Sequence, residues 1–168
     1  MSSSANTMNI LVAEDNGQMR AIIVAVLKGL GFDNIREASN GANALGILRE
    51  WQPDVAIVDF RMDLVDGVEF TRLVRNAEGS ANPYLPIIML TGHADRARVF
   101  EARDAGVTEL IVKPVTAQAM IARLNSVIHH PRSFIRSLDY FGPCRRRTAN
   151  PQYQGPERRM ARQELQIA

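Results

Sequence analysis

At 168 residues the chain has room for one ordinary domain and a modest appendage, and a hydrophobic fraction of 46% is enough for a globular core. No apolar run approaches the length of a membrane span, and the start Met-Ser-Ser-Ser-Ala-Asn-Thr lacks the basic and apolar regions of a secretory signal; no membrane insertion and a cytoplasmic location are therefore expected. A single cysteine, Cys144, excludes an intramolecular disulfide framework, and the net charge of +2 conceals a balance of −3 over residues 1–129 and +5 over residues 130–168.

Five apolar strand-like runs alternate with helical patterns. The first strand is expected over roughly 9–13 and runs straight into Glu14-Asp15. Asn16-Gly17 opens a helix over roughly 17–29, where Ile22, Ile23, Val26 and Leu27 lie at helical spacing and Gly29 with Gly31 marks the end. A strand over roughly 33–38 precedes a helix over roughly 41–51, with Ala42, Leu45, Leu48 and Trp51 as its apolar stripe and Pro53 forbidding continuation. Trp51 reads as a packing residue. The third strand, roughly 54–59, carries the unbroken run Val55 to Val58 expected of a strand covered on both faces, and it ends in Asp59. Asp66-Gly67 turns the chain into a helix over roughly 66–76, which packs Val68, Phe70, Leu73 and Val74. Glu78 to Pro86 is a Gly, Ser, Asn and Pro loop with no chemistry of its own. A strand over roughly 86–91 ends in Thr91-Gly92, and a helix over roughly 94–105 presents a solvated face with Asp95, Arg96, Arg98, Glu101, Arg103 and Asp104. The last strand, roughly 108–112, delivers Lys113-Pro114 ahead of a helix over roughly 116–129.

This alternation predicts right-handed βαβ units and an α/β, flavodoxin-like (βα)5 doubly wound parallel sheet of order 2-1-3-4-5. The expected organisation is a disordered N-terminal tail over 1–7, a domain over 8–129 and an arginine-rich extension over 130–168.

Ligands of open α/β sheets gather at the carboxyl ends of the strands. There the chain places three acids, Glu14, Asp15 and Asp59, with the hydroxyl of Thr91 and the amine of Lys113. Clustered carboxylates repel one another unless a hard cation sits between them, and Mg²⁺ favours one or two carboxylates with phosphate oxygens and water. A lysine and a hydroxyl beside them suit the remaining oxygens of a phosphoryl group. The set points to a Mg²⁺-dependent site in which Asp59 is the nucleophile that takes the phosphoryl group. The structural alternatives are a turn cap for Asp59, a hydroxyl satisfied by backbone for Thr91 and a solvated amine for Lys113.

Glu14-Asp15, Val58-Asp59-Phe60-Arg61-Met62, Asp66-Gly67, Thr91-Gly92 and Lys113-Pro114 together resemble the receiver domain of CheY-like two-component response regulators, over about Met8 to His129. The resemblance implies a phosphoacceptor rather than an enzyme acting on a separate substrate, one that takes part in its own Mg²⁺-dependent phosphorylation and dephosphorylation. It implies Mg²⁺ held by Asp15 directly, by Glu14 largely through water, by Asp59 and by the backbone carbonyl of Arg61. Thr91 and Lys113 would bind the phosphoryl oxygens, and Lys113-Pro114 is a candidate cis peptide. Arg61 and His93 stand at positions that flank the path of an attacking water and tune the lifetime of the acyl phosphate. Asp63 replaces a frequent proline. Leu110 replaces the tyrosine or phenylalanine that many receivers swing inward as the threonine moves, so Thr91 and Leu110 form a switch without a large ring. A phosphatase fits poorly, because Arg61 occupies the place of its second acid. Expected partners are a histidine kinase or phosphotransfer protein and a downstream protein target bound through the fourth helix, fifth strand and fifth helix.

Beyond His129-His130-Pro131 the pattern changes. Phe134, Ile135, Leu138 and Phe141 suggest a short amphipathic helix. Tyr140-Phe141-Gly142-Pro143-Cys144-Arg145-Arg146-Arg147 is followed by Tyr153-Gln154-Gly155-Pro156-Glu157-Arg158-Arg159, with the two Gly-Pro steps 13 residues apart. Gly-Pro fixes a bend, aromatics offer stacking faces, and arginine grips guanine or phosphate in bidentate fashion. This repeat resembles the extension of CheY-like cyclic di-GMP effectors that act on bacterial motility, which makes Arg145, Arg146, Arg147, Arg158 and Arg159 candidate nucleotide-binding residues and cyclic di-GMP a candidate ligand. Generic polyanion binding and an inert, solvated linker are the alternatives. Specific DNA binding is not expected, since the extension has no helix-turn-helix pattern.

Overall fold

A computed structural model describes residues 7–76 and 78–146, together with the backbone of 163–165. The expected N-terminal tail, apart from Thr7, lies outside the described residues, as do Arg147, Arg158 and Arg159.

Five short strands, β1 (Ile10–Ala13), β2 (Ile35–Ala38), β3 (Val55–Asp59), β4 (Ile87–Thr91) and β5 (Glu109–Val112), form one parallel sheet in the order β2-β1-β3-β4-β5. Five helices alternate with them: α1 (Gly17–Gly29), α2 (Gly41–Glu50), α3 (Gly67–Asn76), α4 (Arg96–Ala105) and α5 (Ala117–His129). Successive strand side chains point to opposite faces, so each strand feeds two cores. Ile10, Val12, Ile57, Ile88 and Leu90 pack on Ile23 and Leu27 of α1 and Met120 and Leu124 of α5. Leu11, Ala56, Val58, Ile87 and Met89 face Ala44 of α2, Phe70 and Val74 of α3 and Ala102 of α4. Every residue of β3 and β4 is buried, which accounts for their unbroken apolar runs. Trp51 packs against the second core with Arg36 lying over its ring.

Several helices begin later than the apolar patterning indicates, because a polar side chain caps each start. Asp95 accepts from the Arg98 amide, Thr116 from the Ala119 amide and Asp66 from the Glu69 amide, each standing just outside its helix. Gly67 then meets the backbone of Asp59 so closely that a Cβ there would lie 2.3 Å from the Asp59 carbonyl oxygen. The start of α3 is thereby pressed against the end of β3.

The extension departs from expectation. Instead of a short amphipathic helix, residues 134–143 form an antiparallel hairpin, β6 (Phe134–Arg136) and β7 (Phe141–Pro143), with β8 (Gln163–Leu165) on the other side of β6. The Ser137 amide donates to the Tyr140 carbonyl across the turn, and Gly142-Pro143 is a poor helical sequence. Leu138, assigned to the apolar face of the helix, is 92% exposed at the turn. Phe134 and Phe141 are buried against Tyr84, with ring centres 5.1 and 5.4 Å away. Beneath them Arg75 is buried, its guanidinium 5.0 Å from the Phe134 ring centre and donating to the carbonyls of Gly106 at 3.0 Å and Pro83 at 2.9 Å. The loop from Glu78 to Pro86 therefore forms part of the platform on which the extension docks.

Candidate functional site

Strand register brings the candidate residues level. Ala13 pairs with Val58, Asp59 with Leu90 and Thr91 with Val112, so the carboxyl ends of β1, β3, β4 and β5 open on one edge. Glu14, Asp59 and Thr91 are buried there, while Asp15 is exposed. One carboxylate oxygen from each of Glu14, Asp15 and Asp59 lies within 4.8 Å of the others. Lys113, delivered through a cis Lys113-Pro114 bond, places its Nζ 2.8 Å from Asp59 Oδ1 and 3.0 Å from Glu14 Oε2. The amine bridges two buried carboxylates rather than standing in solvent.

The charges do not balance, since one ammonium faces three acids. Burial pushes the Glu14 carboxyl up, the Lys113 hydrogen bond only partly opposes it, and the charge on Asp59 raises it further. Burial likewise pushes Asp59 up against the pull of Lys113. For Lys113 burial acts downward, but its bonds to Asp59 and Glu14 prevail and the amine is raised. An excess of buried negative charge with oxygen-only donors is the environment that a hard divalent cation relieves, so the residues present fit Mg²⁺.

Thr91 Oγ1 donates to the His93 carbonyl at 2.8 Å and accepts from the His93 amide at 3.2 Å. The hydroxyl is therefore held by its own loop, at the edge where Asp59 stands. His93 is exposed, with Nδ1 3.3 Å from an Arg98 nitrogen. Arg98 also pairs with Asp95 at 3.4 Å and lies 5.6 Å from the Phe60 ring centre. It is thus half-buried against the residue after Asp59, not part of a fully solvated face. Arg61 and Asp63 are exposed. Leu110 is half-buried and lines a cavity of about 190 Å³ between α4, β5 and the extension, together with Val99, Arg103, Arg132 and Arg145.

Sequence reasoning passed over Arg20, which donates to the Glu14 carbonyl at 2.7 Å and to Glu37 at 3.0 Å. Its signal was a cation in the first turn of α1, directly after the acidic pair, where it steadies the loop that carries them. Among the candidate nucleotide-binding residues, Arg145 pairs with Asp104 at 3.0 Å and lies 4.4 Å from the Tyr140 ring centre. Arg146 is exposed.

Residues 10–125 match the family described as the response regulator receiver domain. The chain belongs to that family. The chemotaxis protein CheY of Pseudomonas aeruginosa is 37% identical over 120 residues, which cover 71% of this chain and 95% of that protein. Chemotaxis protein CheY-3 of Vibrio cholerae is 35% identical over 120 residues, 71% of this chain and 91% of its own length. Among solved structures, CheY4 of Vibrio cholerae superposes with a TM-score of 0.66 at 27% identity, covering 72% of this chain and 98% of that one. The receiver domain of a Pseudomonas aeruginosa sensor histidine kinase, with a magnesium ion coordinated in its active-site cleft, superposes with a TM-score of 0.63 at 27% identity, covering 70% of this chain and 94% of that one. The chain is therefore a CheY-like receiver module of two-component signalling, a family of phosphoacceptors that partner with histidine kinases or phosphotransfer proteins, and it carries an acidic pocket of Glu14, Asp15 and Asp59. No helix among the described residues is long and apolar enough to cross a membrane.

Proposed function

We propose that Asp59 accepts a phosphoryl group from a histidine kinase or phosphotransfer protein, and that the modified domain signals by changing its affinity for a protein partner. The observation that carries this reading is the position of Lys113 Nζ, 2.8 Å from Asp59 and 3.0 Å from Glu14, beside a three-carboxylate cluster. In this assignment Asp15, Asp59 and the Arg61 carbonyl, with Glu14 largely through water, would hold Mg²⁺, which would supply positive charge to offset that of the transferring group. An Asp59 oxygen attacks phosphorus in line, the bond from phosphorus to the donor breaks, and the donor departs with that electron pair. Lys113 stays with the Asp59 carboxylate and neutralises the new phosphoryl oxygens. Thr91 leaves the His93 carbonyl to donate to one of them. Arg61 and His93 border the path of the hydrolytic water and tune the lifetime of the acyl phosphate. The expected result with a small-molecule phosphodonor and Mg²⁺ is a gain of one phosphoryl mass in the wild type, lost on chelation of the metal and absent in Asp59→Asn. Equal labelling of both proteins would reject the assignment.

A second reading adds a ligand to the extension. Arg145 already lies over Tyr140, the guanidinium–aromatic pairing that stacks on a purine, and its motif recurs at Tyr153 to Arg159. Under it, calorimetry on the full chain detects cyclic di-GMP at micromolar or tighter affinity, and replacing Arg145, Arg146, Arg158 and Arg159 with alanine abolishes the heat. Salt-sensitive RNA binding without any response to the dinucleotide would replace this reading with generic polyanion binding.

A further inference from the structure

Helix α4 touches the Asp59 edge at one end and the extension at the other. Its first turn is set by the loop that holds Thr91: Asp95 caps it, and Arg98 reaches back to His93, whose carbonyl accepts from the Thr91 hydroxyl. At its far end Asp104 pairs with Arg145 at 3.0 Å. The carbonyl of Gly106, which ends the helix at φ 104°, accepts from the buried Arg75. Gly106 also meets the hairpin directly, because a Cβ on Gly142 would lie 3.0 Å from its Cα. Arg132 of the extension donates to the Thr108 carbonyl just beyond, at 2.8 Å. Between these anchors α4 is lightly held: its fully buried side chains are only Ala102 and Ala105, whereas α3 buries Phe70 and Val74 and α5 buries Met120 and Leu124. A short, weakly packed helix fastened at both ends is an element whose position two distant sites can bias.

From this geometry we infer that α4 couples the state of Asp59 to the arginines of the extension, with the Asp104–Arg145 pair as the joint that opens. The inference rests on the phosphoacceptor reading of Asp59. A phosphoryl oxygen on Asp59 offers Thr91 a charged acceptor in place of the neutral His93 carbonyl. The loop from Gly92 to Asp95 then loses the bond that fixes it, α4 shifts, and Arg145 is released from Asp104. The freed Arg145 guanidinium presents a cation to an anionic ligand of the phosphate-ester or polyphosphate class. Reciprocity follows: an anion that draws Arg145 away from Asp104 favours the phosphorylated form by the same factor. This route from the phosphorylation edge runs along α4 and needs no large ring at Leu110.

The experiment uses the full chain with Mg²⁺ and beryllofluoride, a non-covalent stand-in for the phosphoryl group, and follows backbone hydrogen exchange. Fluorine NMR reports separately whether beryllofluoride is bound. Bound beryllofluoride is expected to speed exchange over residues 100–106 and 134–143 by about fivefold or more. Asp104→Ala, a change at a half-exposed side chain, should still bind beryllofluoride but show fast exchange at the hairpin from the outset, with no further response. Asp104→Glu, which keeps the charge, should restore the response. Inorganic tripolyphosphate at matched ionic strength and matched free Mg²⁺ should tighten beryllofluoride binding in the wild type by a similar factor, and not in Asp104→Ala. Bound beryllofluoride with unchanged exchange at 134–143, or an Asp104→Ala variant that responds like wild type, would overturn the coupling while leaving the phosphoacceptor reading intact. Failure of beryllofluoride to bind would overturn both.

Discussion

Phe134→Ala is expected to destabilise the protein by about 3–5 kcal/mol, the largest effect of any change in the extension. Phe134 is 2% exposed, tilted against Tyr84 and Phe141 and covering the guanidinium of Arg75. Its removal leaves a cavity between the hairpin and the domain, and it strips the apolar cover from a buried cation whose guanidinium donates only to neutral carbonyls, those of Gly106 and Pro83, among the described residues. Chemical denaturation of the full chain is the measurement. Leu138→Ala is the control, because Leu138 at the hairpin turn is 92% exposed and its truncation should cost less than about 0.5 kcal/mol. Equal midpoints for the two variants would show that the extension adds nothing to the stability of the domain.

Lys113→Met should cost about 3 kcal/mol at neutral pH, because it leaves Glu14 and Asp59 buried without their shared counter-charge. The sign of the pH dependence follows from the raised carboxyls. A carboxyl whose pKa is higher in the folded than in the unfolded protein contributes stability that is fully present below its unfolded pKa and lost as pH rises through the folded one. Glu14 and Asp59 are both shifted upward by burial, and without Lys113 they are shifted further. The deficit of the variant should therefore be smallest near about pH 4, where protonated carboxyls need no partner, and should grow toward about pH 7. The raised Lys113 amine acts in the wild type in the same sense at the alkaline end, its contribution disappearing as pH rises through its folded pKa. Millimolar Mg²⁺ should recover part of the loss in Lys113→Met, since the dication supplies the missing positive charge. A deficit that is independent of both pH and Mg²⁺ would mean that the alkyl chain of Lys113, and not its charge, holds this edge together.

The five-stranded sheet was legible because each element carries its own local signal. Val55 to Val58 and Ile87 to Leu90 are unbroken apolar runs, a pattern that only a strand covered on both faces tolerates, and the alternation with amphipathic helices leaves few topologies. The edge on which Glu14, Asp15, Asp59, Thr91 and Lys113 meet was legible for a related reason: every one of them lies at or just past the carboxyl end of a parallel strand, and parallel strands in register bring those ends together. Helix starts at Arg96 and Ala117 were missed by one or two residues because Asp95 and Thr116 act from outside their helices.

Tertiary structure decided what side chains do across long sequence separations. Arg75 looks like an ordinary surface arginine until its spacing from Val68 and Thr71 places it on the buried face of α3, and only folding brings Phe134 to cover it. The hairpin over 134–143 was hidden because Phe134, Ile135, Leu138 and Phe141 fit a helical period equally well. The choice between helix and strand fell to tertiary contacts: Gly142 lies so close to Gly106 that a Cβ on it would be 3.0 Å from the Gly106 Cα, and Phe134 and Phe141 pack together on Tyr84. Local patterning determined the parallel sheet, while the docking of the extension onto Arg75 and α4 depended on contacts between residues far apart in the chain, which no local period encodes.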